Sequence, residues 1–473
     1  MKARLAHFRK HGPFAVVAAL IGYGAVLFAP TFLNDPDTYW HIKAGEWILQ
    51  NGAFPHTDPF SYTLAGAPWL AHECLSEVLM ALAYKAGGWN GIVIFFGIVT
   101  ALASCLFASQ LSRNLKQPAS LVAFALGAAC VSPSLLARPH MLALPVLVLW
   151  LGGLLSARER GERPSLWLLP LMALWANLHG TFAFGLALVL PIALEALIEA
   201  KENRARLIRG WGIFLAGAIG MALLTPNGWH GLVFPFQLVN MKHIANIGEW
   251  APPDFQTLQP LELALMATLY VALTRPLQVP IPRLLTLIGL LHLALHHGRH
   301  QMLAGIVGAI LLAKPLGKAL DDKPGESAAG TSPRNWVFAG AAIAVLLTAI
   351  RLIHPLVRTD DRVSPMTALN HVPVEIRQTP VLNSYEFGGY LIFSDIKPFI
   401  DGRAEMYGDN FVFDYLSALS PNRAAFQRIV DKSGIRWTIL SPGSPALDMI
   451  DALPHWRRLY ADRFAVVYIR DGQ

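Results

Sequence analysis

Two carboxylates flank a proline at Asn34-Asp35-Pro36-Asp37, and His41 follows four residues after the second. A carboxylate so placed can take a proton from a hydroxyl or hold a divalent cation. His56, Asp58, His72 and Glu73 extend the same chemistry, and polar groups then recur at short turns between apolar runs. Those turns are Arg138-Pro139-His140, Asn177-Leu178-His179-Gly180, Thr225 to His230, Glu249-Trp250 and His296-His297-Gly298-Arg299-His300. Arginine and histidine bind phosphate, arginine through a planar fork of donors. Each group also has a structural reading. Asp35 and Asp37 could cap a following helix. Trp40 and Trp47 could belong to an aromatic interfacial belt. His140 and His179 could be satisfied histidines between packed elements, and Asn227-Gly228 is a turn dipeptide. Arg299, beside three histidines, is harder to dismiss, because a guanidinium at the end of an apolar run needs an anion or carboxylate partner.

The elements that position these groups must be membrane helices. Of 473 residues, 54% are hydrophobic and only 15% charged, and the mean hydropathy is +0.43. A soluble domain carries about 25% charged residues, so this chain could not cover a soluble surface, and the same composition excludes disorder. The net charge of +7 is explained by basic cytoplasmic loops without invoking nucleic acid. The three cysteines, Cys74, Cys105 and Cys130, imply neither a disulfide framework nor a metal cluster. A spanning helix needs about 20 mostly apolar residues. Eleven stretches qualify: 13–33, 90–110, 119–136, 140–156, 165–177, 181–199, 210–225, 261–274, 281–296, 301–313 and 335–353. The first follows a basic N-terminus but lacks a small-residue cleavage site, so it reads as a retained helix and not a removed signal. Residues 73–86, apolar but interrupted by Glu73, Glu77 and Lys85, read as an amphipathic helix on the membrane surface.

Charge orients the bundle. The N-terminus and the loops near 111–118, 157–164, 200–209, 275–283 and 314–334 carry 19 Lys and Arg, against five in the opposite short loops. The basic set is therefore cytoplasmic. The Asp35 loop and every turn listed above fall on the other side, together with ten of the sixteen histidines. Ionisable groups at membrane depth are costly and usually functional, so one site near the outer interface is expected. Residues 314–334 read as a cytoplasmic Pro/Gly/Ser-rich linker, 335–353 as the last span and 354–473 as an outer α/β domain. In that domain 438–440 and 465–469 read as strands and 409–432 and 443–453 as helical. Glu386-Phe387-Gly388-Gly389-Tyr390 and Asp401-Gly402-Arg403 look like tight turns.

The stretch from Asn34 to His41, continued through Gly45, Gly52, Pro55, Asp58-Pro59-Phe60-Ser61, Pro68-Trp69 and His72-Glu73, resembles the first external loop of the GT-C superfamily of membrane glycosyltransferases. That superfamily includes protein O-mannosyltransferases, aminoarabinose transferases of lipid A and the catalytic subunit of oligosaccharyltransferase. Bacterial relatives also show an outer tail with runs like Asn383 to Tyr390 and Asp401 to Arg403. The resemblance implies a polytopic α-helical fold with a small extracytoplasmic α/β domain, a polyprenyl-phosphate sugar donor and action at the periplasmic face of a bacterial inner membrane. By position, Asp35 or Asp37 would be the acidic catalytic residue, with Asp37 slightly favoured. Oligosaccharyltransferases carry a second acidic motif before the fourth span. Here Arg138-Pro139-His140 stands in that place, which disfavours a metal-dependent version.

The chemistry of the residues and the resemblance converge on one expectation. A sugar moves from a lipid-linked phosphate donor to a periplasmic glycan, lipid or protein acceptor. Asp35, Asp37, His41 and Glu73 are the catalytic candidates. His72, Arg138, His140, His179, Glu249, His297, Arg299 and His300 are the substrate-binding candidates. Were a divalent cation, Mg or Mn, present, Asp35 and Asp37 would be its ligands. Two other classes fit the composition: a transporter or flippase for a lipid-linked substrate, and a non-catalytic envelope assembly protein. A transporter would bind near the midplane through repeats, and no repeat is evident.

Overall fold

The computed structural model describes residues 2–200, 202–239, 241, 242, 250–321 and 333–471. Every apolar stretch is helical. The helices are α1 (Lys2–Phe28), α2 (Pro36–Asn51), α3 (Cys74–Leu111), α4 (Ala119–Val131), α5 (Pro139–Glu159), α6 (Leu169–Leu178) and α7 (Phe182–Glu199). They continue with α8 (Arg204–Ala222), α9 (Gly228–Val239), α10 (Pro260–Thr274), α11 (Ile281–His296), α12 (Gln301–Ala319) and α13 (Pro333–Ile353). Among the described residues, five helical segments are long and apolar enough to cross a membrane, and five shorter apolar ones accompany them. The chain is thus a multi-pass helical membrane protein with a small C-terminal sheet. The expected span at 210–225 is the apolar part of α8, which begins at Arg204. The expected linker from 314 starts later, because α12 runs on to Ala319. There Lys314 pairs with Glu159 at 3.0 Å, and most of the rest of that linker, 322–332, lies outside the described residues.

The expected surface helix at 73–86 is the first part of α3, set off from the rest by a kink at Gly87 and Gly88. Gly88 adopts φ +56°, a left-handed conformation that a side chain would strain. Cys74, Ser76, Glu77, Met80 and Ala81 are buried, so this segment is covered by protein and not laid open on a surface. α2 packs along it, and α1 packs along α3 and α13. The bundle core runs through Phe96, Met141, Trp150, Trp175, Phe214 and Val307.

The two ends of the bundle differ chemically. At one end Arg283 at the start of α11 grips Glu195 near the end of α7 through two bonds of 2.7 and 3.1 Å, and Arg158 near the end of α5 reaches the same carboxylate at 2.5 Å. Arg158, Glu195 and Arg283 are buried. The ends meeting here border the basic loops 157–164, 200–209 and 275–283. The opposite end holds the Asp35 loop and the polar turns.

The C-terminal segment folds as α14 (Met366–His371), α15 (Val374–Arg377), β1 (Val381–Asn383), α16 (Gly388–Phe393), α17 (Ala404–Ala418), α18 (Arg423–Ser433), β2 (Trp437–Leu440), α19 (Leu447–Asp451), β3 (Trp456–Ala461) and β4 (Val466–Arg470). Its four strands lie in the order β1-β2-β4-β3. β1 and β2 are parallel, with Leu382 opposite Thr438, and the other two pairings are antiparallel. Side chains alternate across a strand, so Trp437, Ile439, Val467 and Ile469 face α14 and α16. Leu440, Val466 and Tyr468 face α17, α18 and α19. The helical expectation at 409–432 is met by two helices with a break between Leu419 and Asn422, and that at 443–453 is helical only from Leu447 to Asp451.

Candidate active site

α2 begins where the sequence supplies its own start signal. Asp35 is the N-cap, Pro36 occupies the first helical position and Asp37 lies in the first turn, where the helix dipole favours negative charge. Asp35 Oδ2 accepts a 2.9 Å bond from the Thr38 backbone N–H. Its Oδ1 receives Arg138 Nε at 2.6 Å and Nη2 at 2.5 Å. The same Nη2 lies 3.1 Å from Asp37 Oδ2, and Asp37 Oδ1 accepts Trp40 Nε1 at 3.0 Å. One guanidinium therefore bridges both carboxylates. The turn that carries it is tied to the same loop, since Ala137 N–H donates to the Phe32 carbonyl at 3.1 Å. Asp35 is buried to 1% exposure, whereas the Asp37 and Arg138 side chains each keep 15%.

This pair does not fit a divalent cation. All four carboxylate oxygens already accept hydrogen bonds or the Arg138 charge, and the guanidinium lies where a shared ion would bridge them. Among the described residues no three His, Cys, Asp or Glu side chains form a group that could hold a metal. The ligation expected of Asp35 and Asp37 thus meets a guanidinium lying between the two carboxylates.

Next to the pair lies a buried nest of acids and imidazoles. Glu73 Oε1 is 3.4 Å from His179 Nε2 and 3.6 Å from His72 Nε2, and its Oε2 is 3.7 Å from His41 Nε2. His41 Nδ1 faces Glu77 Oε1 at 3.6 Å. His179 Nδ1 accepts the Thr181 backbone N–H at 3.1 Å, so in the neutral ring the proton sits on Nε2, towards Glu73. Burial pushes Glu73 well above the ordinary carboxyl range, and its acidic neighbours Glu77, Glu405 and Asp37 reinforce the shift against Arg299. Burial likewise drives Glu77 up to about 8 and Glu405 up to about 7. Burial holds His41 and His179 well below the ordinary imidazole value and takes His72 down to about 4. Burial thus favours the protonated carboxyl of Glu73 and the uncharged form of the rings around it, groups that hydrogen-bond without adding charge.

Positive charge comes from the arginines. Arg299 acts electrostatically on His72, Glu73 and His179 and stacks over Trp250 at 4.5 Å. Its turn, Gly298–His300, packs against the Ser132–Ser134 turn that precedes Arg138. His297 Nδ1 meets the Trp250 carbonyl oxygen at 2.7 Å, and the His300 ring lies 6.1 Å from that indole. His140 Nε2 meets the Ser134 carbonyl oxygen at 2.8 Å, and its ring is 6.0 Å from His179. These contacts supply the structural partners foreseen for His140 and His179, yet His179 stays within 3.4 Å of Glu73. Glu249 lies outside the described residues.

The sequence reading passed over what the C-terminal domain contributes. Arg403, fully buried, donates Nη1 to Asp58 at 2.6 Å and Nε and Nη2 to Asp401 at 2.8 and 2.7 Å. Its guanidinium lies 4.7 Å from the Trp69 ring centre and 5.2 Å from that of Phe60. Burial raises Asp401, but the Arg403 charge and hydrogen bonds outweigh it and hold the carboxyl below its usual value. Thr63 Oγ1 donates to the Phe399 carbonyl at 2.7 Å and Tyr62 Oη to that of Val381 at 2.9 Å. The first loop is clamped along much of its length by a domain more than 300 residues further on. Glu77 had read as a surface charge and Glu405 carried no sequence signal. The Asp401-Gly402-Arg403 run was the available clue.

Neither a family model nor a curated protein matches the sequence. Among solved structures, the archaeal oligosaccharyltransferase AglB from Archaeoglobus fulgidus, in complex with an inhibitory peptide and a dolichol-phosphate, is similar with a TM-score of 0.54 and 12% identity. The similarity covers 91% of this chain and 69% of that one. The Archaeoglobus fulgidus oligosaccharyltransferase tethered to an acceptor peptide containing the NVT sequon gives a TM-score of 0.57 and 13% identity, over 92% and 69% of the two chains. ArnT from Cupriavidus metallidurans, bound to undecaprenyl phosphate, gives a TM-score of 0.33 and 13% identity over 96% and 97%. At such identities the likeness to the oligosaccharyltransferases is one of fold.

Proposed function

We propose that this chain is a membrane glycosyltransferase that moves a sugar from a polyprenyl-phosphate donor to an acceptor hydroxyl or amide at the outer face of a bacterial inner membrane. In this reading the chain spans the bilayer eleven times with its N-terminus in the cytoplasm, and 354–473 form a periplasmic domain. Asp37 is the base. As it takes the proton, the acceptor atom bonds to the anomeric carbon, the bond from that carbon to the phosphate oxygen breaks, and polyprenyl phosphate leaves with the electron pair. Arg138 and Arg299 steady the charge that grows on the leaving phosphate. His72, His140, His179, His297 and His300 line the approach as hydrogen-bonding groups, and His41 and Glu73 back them. Asp35 holds the Arg138 fork in place, and no step requires a metal.

The observation that carries the reading is the shared guanidinium of Asp35 and Asp37, set at the non-basic end of a bundle with the oligosaccharyltransferase fold. The bridging arginine balances the charge of two adjacent carboxylates, and Asp37 is the more exposed of the two. The test is to reconstitute the purified protein in lipid nanodiscs and supply a panel of polyprenyl-phosphate sugars. Release of polyprenyl phosphate, lost in Asp37→Asn, is expected. No release from any donor, or full release by the doubly substituted Asp35→Asn, Asp37→Asn protein, overturns the reading.

A further inference from the structure

Two glycine-containing runs of the C-terminal domain, Asn383 to Tyr390 and Asp401 to Arg403, have so far no role beyond tight turns. Their glycines touch α2 at its first turn. A Cβ on Gly402 would sit 1.8 Å from Asp37 Oδ1 and 3.0 Å from Trp40 Nε1. A Cβ on Gly389 would sit 2.0 Å from the Pro36 carbonyl oxygen. The Asp37 carboxylate and the indole that hydrogen-bonds it are thus laid directly on the backbone of residue 402. That backbone cannot drift, because the residues on either side of Gly402, Asp401 and Arg403, are locked to each other and to Asp58. Tyr407 Oη adds a 2.7 Å bond to Asp401, and Tyr385 Oη a 3.2 Å bond to the Gly402 carbonyl. The Asn383 side chain ties the two runs together, donating to the Ile400 carbonyl at 2.8 Å and accepting from Phe399 N–H at 2.8 Å.

We infer that the Asp401-Gly402-Arg403 turn is a positioning element for Asp37: the outer domain completes the active site by supplying the glycine floor against which that carboxylate is held. The inference rests on the role proposed for Asp37. Arg403 acts at one remove, through Asp58 on the first loop and Asp401 beneath the floor. The two glycines differ in what a methyl group would strike. At Gly402 the obstacle is the end of a side chain, which can swing away and leave the fold intact. At Gly389 it is backbone, so a methyl there pushes the domain off α2.

Gly402→Ala in the full chain tests this, with Gly443→Ala as the control, since a Cβ at Gly443 meets nothing within 4 Å. A displacement of about 1 Å at a reacting group can cost about 10²-fold in rate. Gly402→Ala is expected to lower kcat by that order while KM for the lipid-linked donor stays within about twofold and the unfolding temperature stays near that of Gly443→Ala. Amide hydrogen exchange over 37–41 should rise in Gly402→Ala and not in Gly443→Ala. Wild-type kcat in Gly402→Ala, a loss confined to KM, or unchanged exchange at 37–41 overturns the inference. If the wild-type protein transfers no sugar, the function proposed for Asp37 fails, and the exchange measurement still decides whether residue 402 holds the first turn of α2.

Discussion

Asp35 and Asp37 are two residues apart, yet their surroundings give them different work. Asp35 has one oxygen on the Thr38 amide and the other on Arg138, and is buried. Asn caps a helix about as well as Asp. Asp35→Asn should therefore keep the helix cap while loosening Arg138, lowering the unfolding temperature moderately and slowing transfer. Asp37→Asn removes the base itself and should lower kcat by about 10²- to 10⁴-fold, with a donor-release assay and thermal unfolding separating the two. Glu77 offers a test on stability alone. Burial pushes its carboxyl in the folded protein up to about 8, from the ordinary glutamate value of about 4.3. A carboxyl raised on folding binds its proton more tightly in the native state, so native stability falls as pH climbs from about 4.5 to about 8 and changes no further above that. Glu77→Gln lacks the titration. Its stability relative to wild type should improve by on the order of a few kcal/mol between about pH 5 and pH 8, read as the difference in denaturation midpoints in detergent. A constant difference across that window would show that Glu77 is not held protonated.

α5, α7 and α11 each carry a site residue at or just beyond one end and an ion-pair partner at the other. Arg138 precedes α5, His179 precedes α7 and His297 follows α11. Arg158, Glu195 and Arg283 sit at the far ends. The buried pairs set the relative heights of three helices and so the heights of the groups on the opposite face. Removing one partner of a buried pair costs about 3–5 kcal/mol, because the other charge is left uncompensated. Glu195→Ala takes the carboxylate partner from buried Arg283 and leaves Arg158 with Glu199 alone, and should lower the unfolding temperature sharply. Replacing all three with apolar residues of similar volume should recover much of the loss. A melting curve that Glu195→Ala leaves unchanged would deny the network a structural role.

Across the whole molecule, the arrangement of charge gives a topology that chemistry from outside the membrane can check. In an otherwise cysteine-free protein, a cysteine at Gln50 should react with an impermeant maleimide added to intact spheroplasts. One at Glu162 should react only after the membrane is opened. The reverse pattern would turn the candidate site to the cytoplasm and end the proposal of a periplasmic acceptor. The C-terminal domain belongs to this scale too. Lys43 on α2 pairs with Asp395 at 2.8 Å, and Arg358 Nη2, on the irregular segment leading out of α13, donates to Tyr39 Oη at 2.8 Å. The domain is packed onto the first loop through buried charge, hydrogen bonds and aromatic rings, not hung from the last helix by a tether.

The sequence by itself determined the membrane class, the helical stretches, the asymmetry of basic loops and the cap at Asp35. Each follows from composition, from apolar runs or from neighbours within one turn of chain, and such signals are local. It also collected the acids, imidazoles and guanidinium groups on one side, because alternating spans place alternate loops together whatever the packing. Only the tertiary structure decided that Arg138 bridges Asp35 and Asp37. Only it turned Glu77 inward, since a charge in an amphipathic run is silent about which face its neighbours will cover. The same holds for Gly402 against Asp37 and Arg403 against Asp58. Those contacts join residues more than 300 positions apart, and no periodicity or spacing within one chain records which glycine will lie beneath which carboxylate.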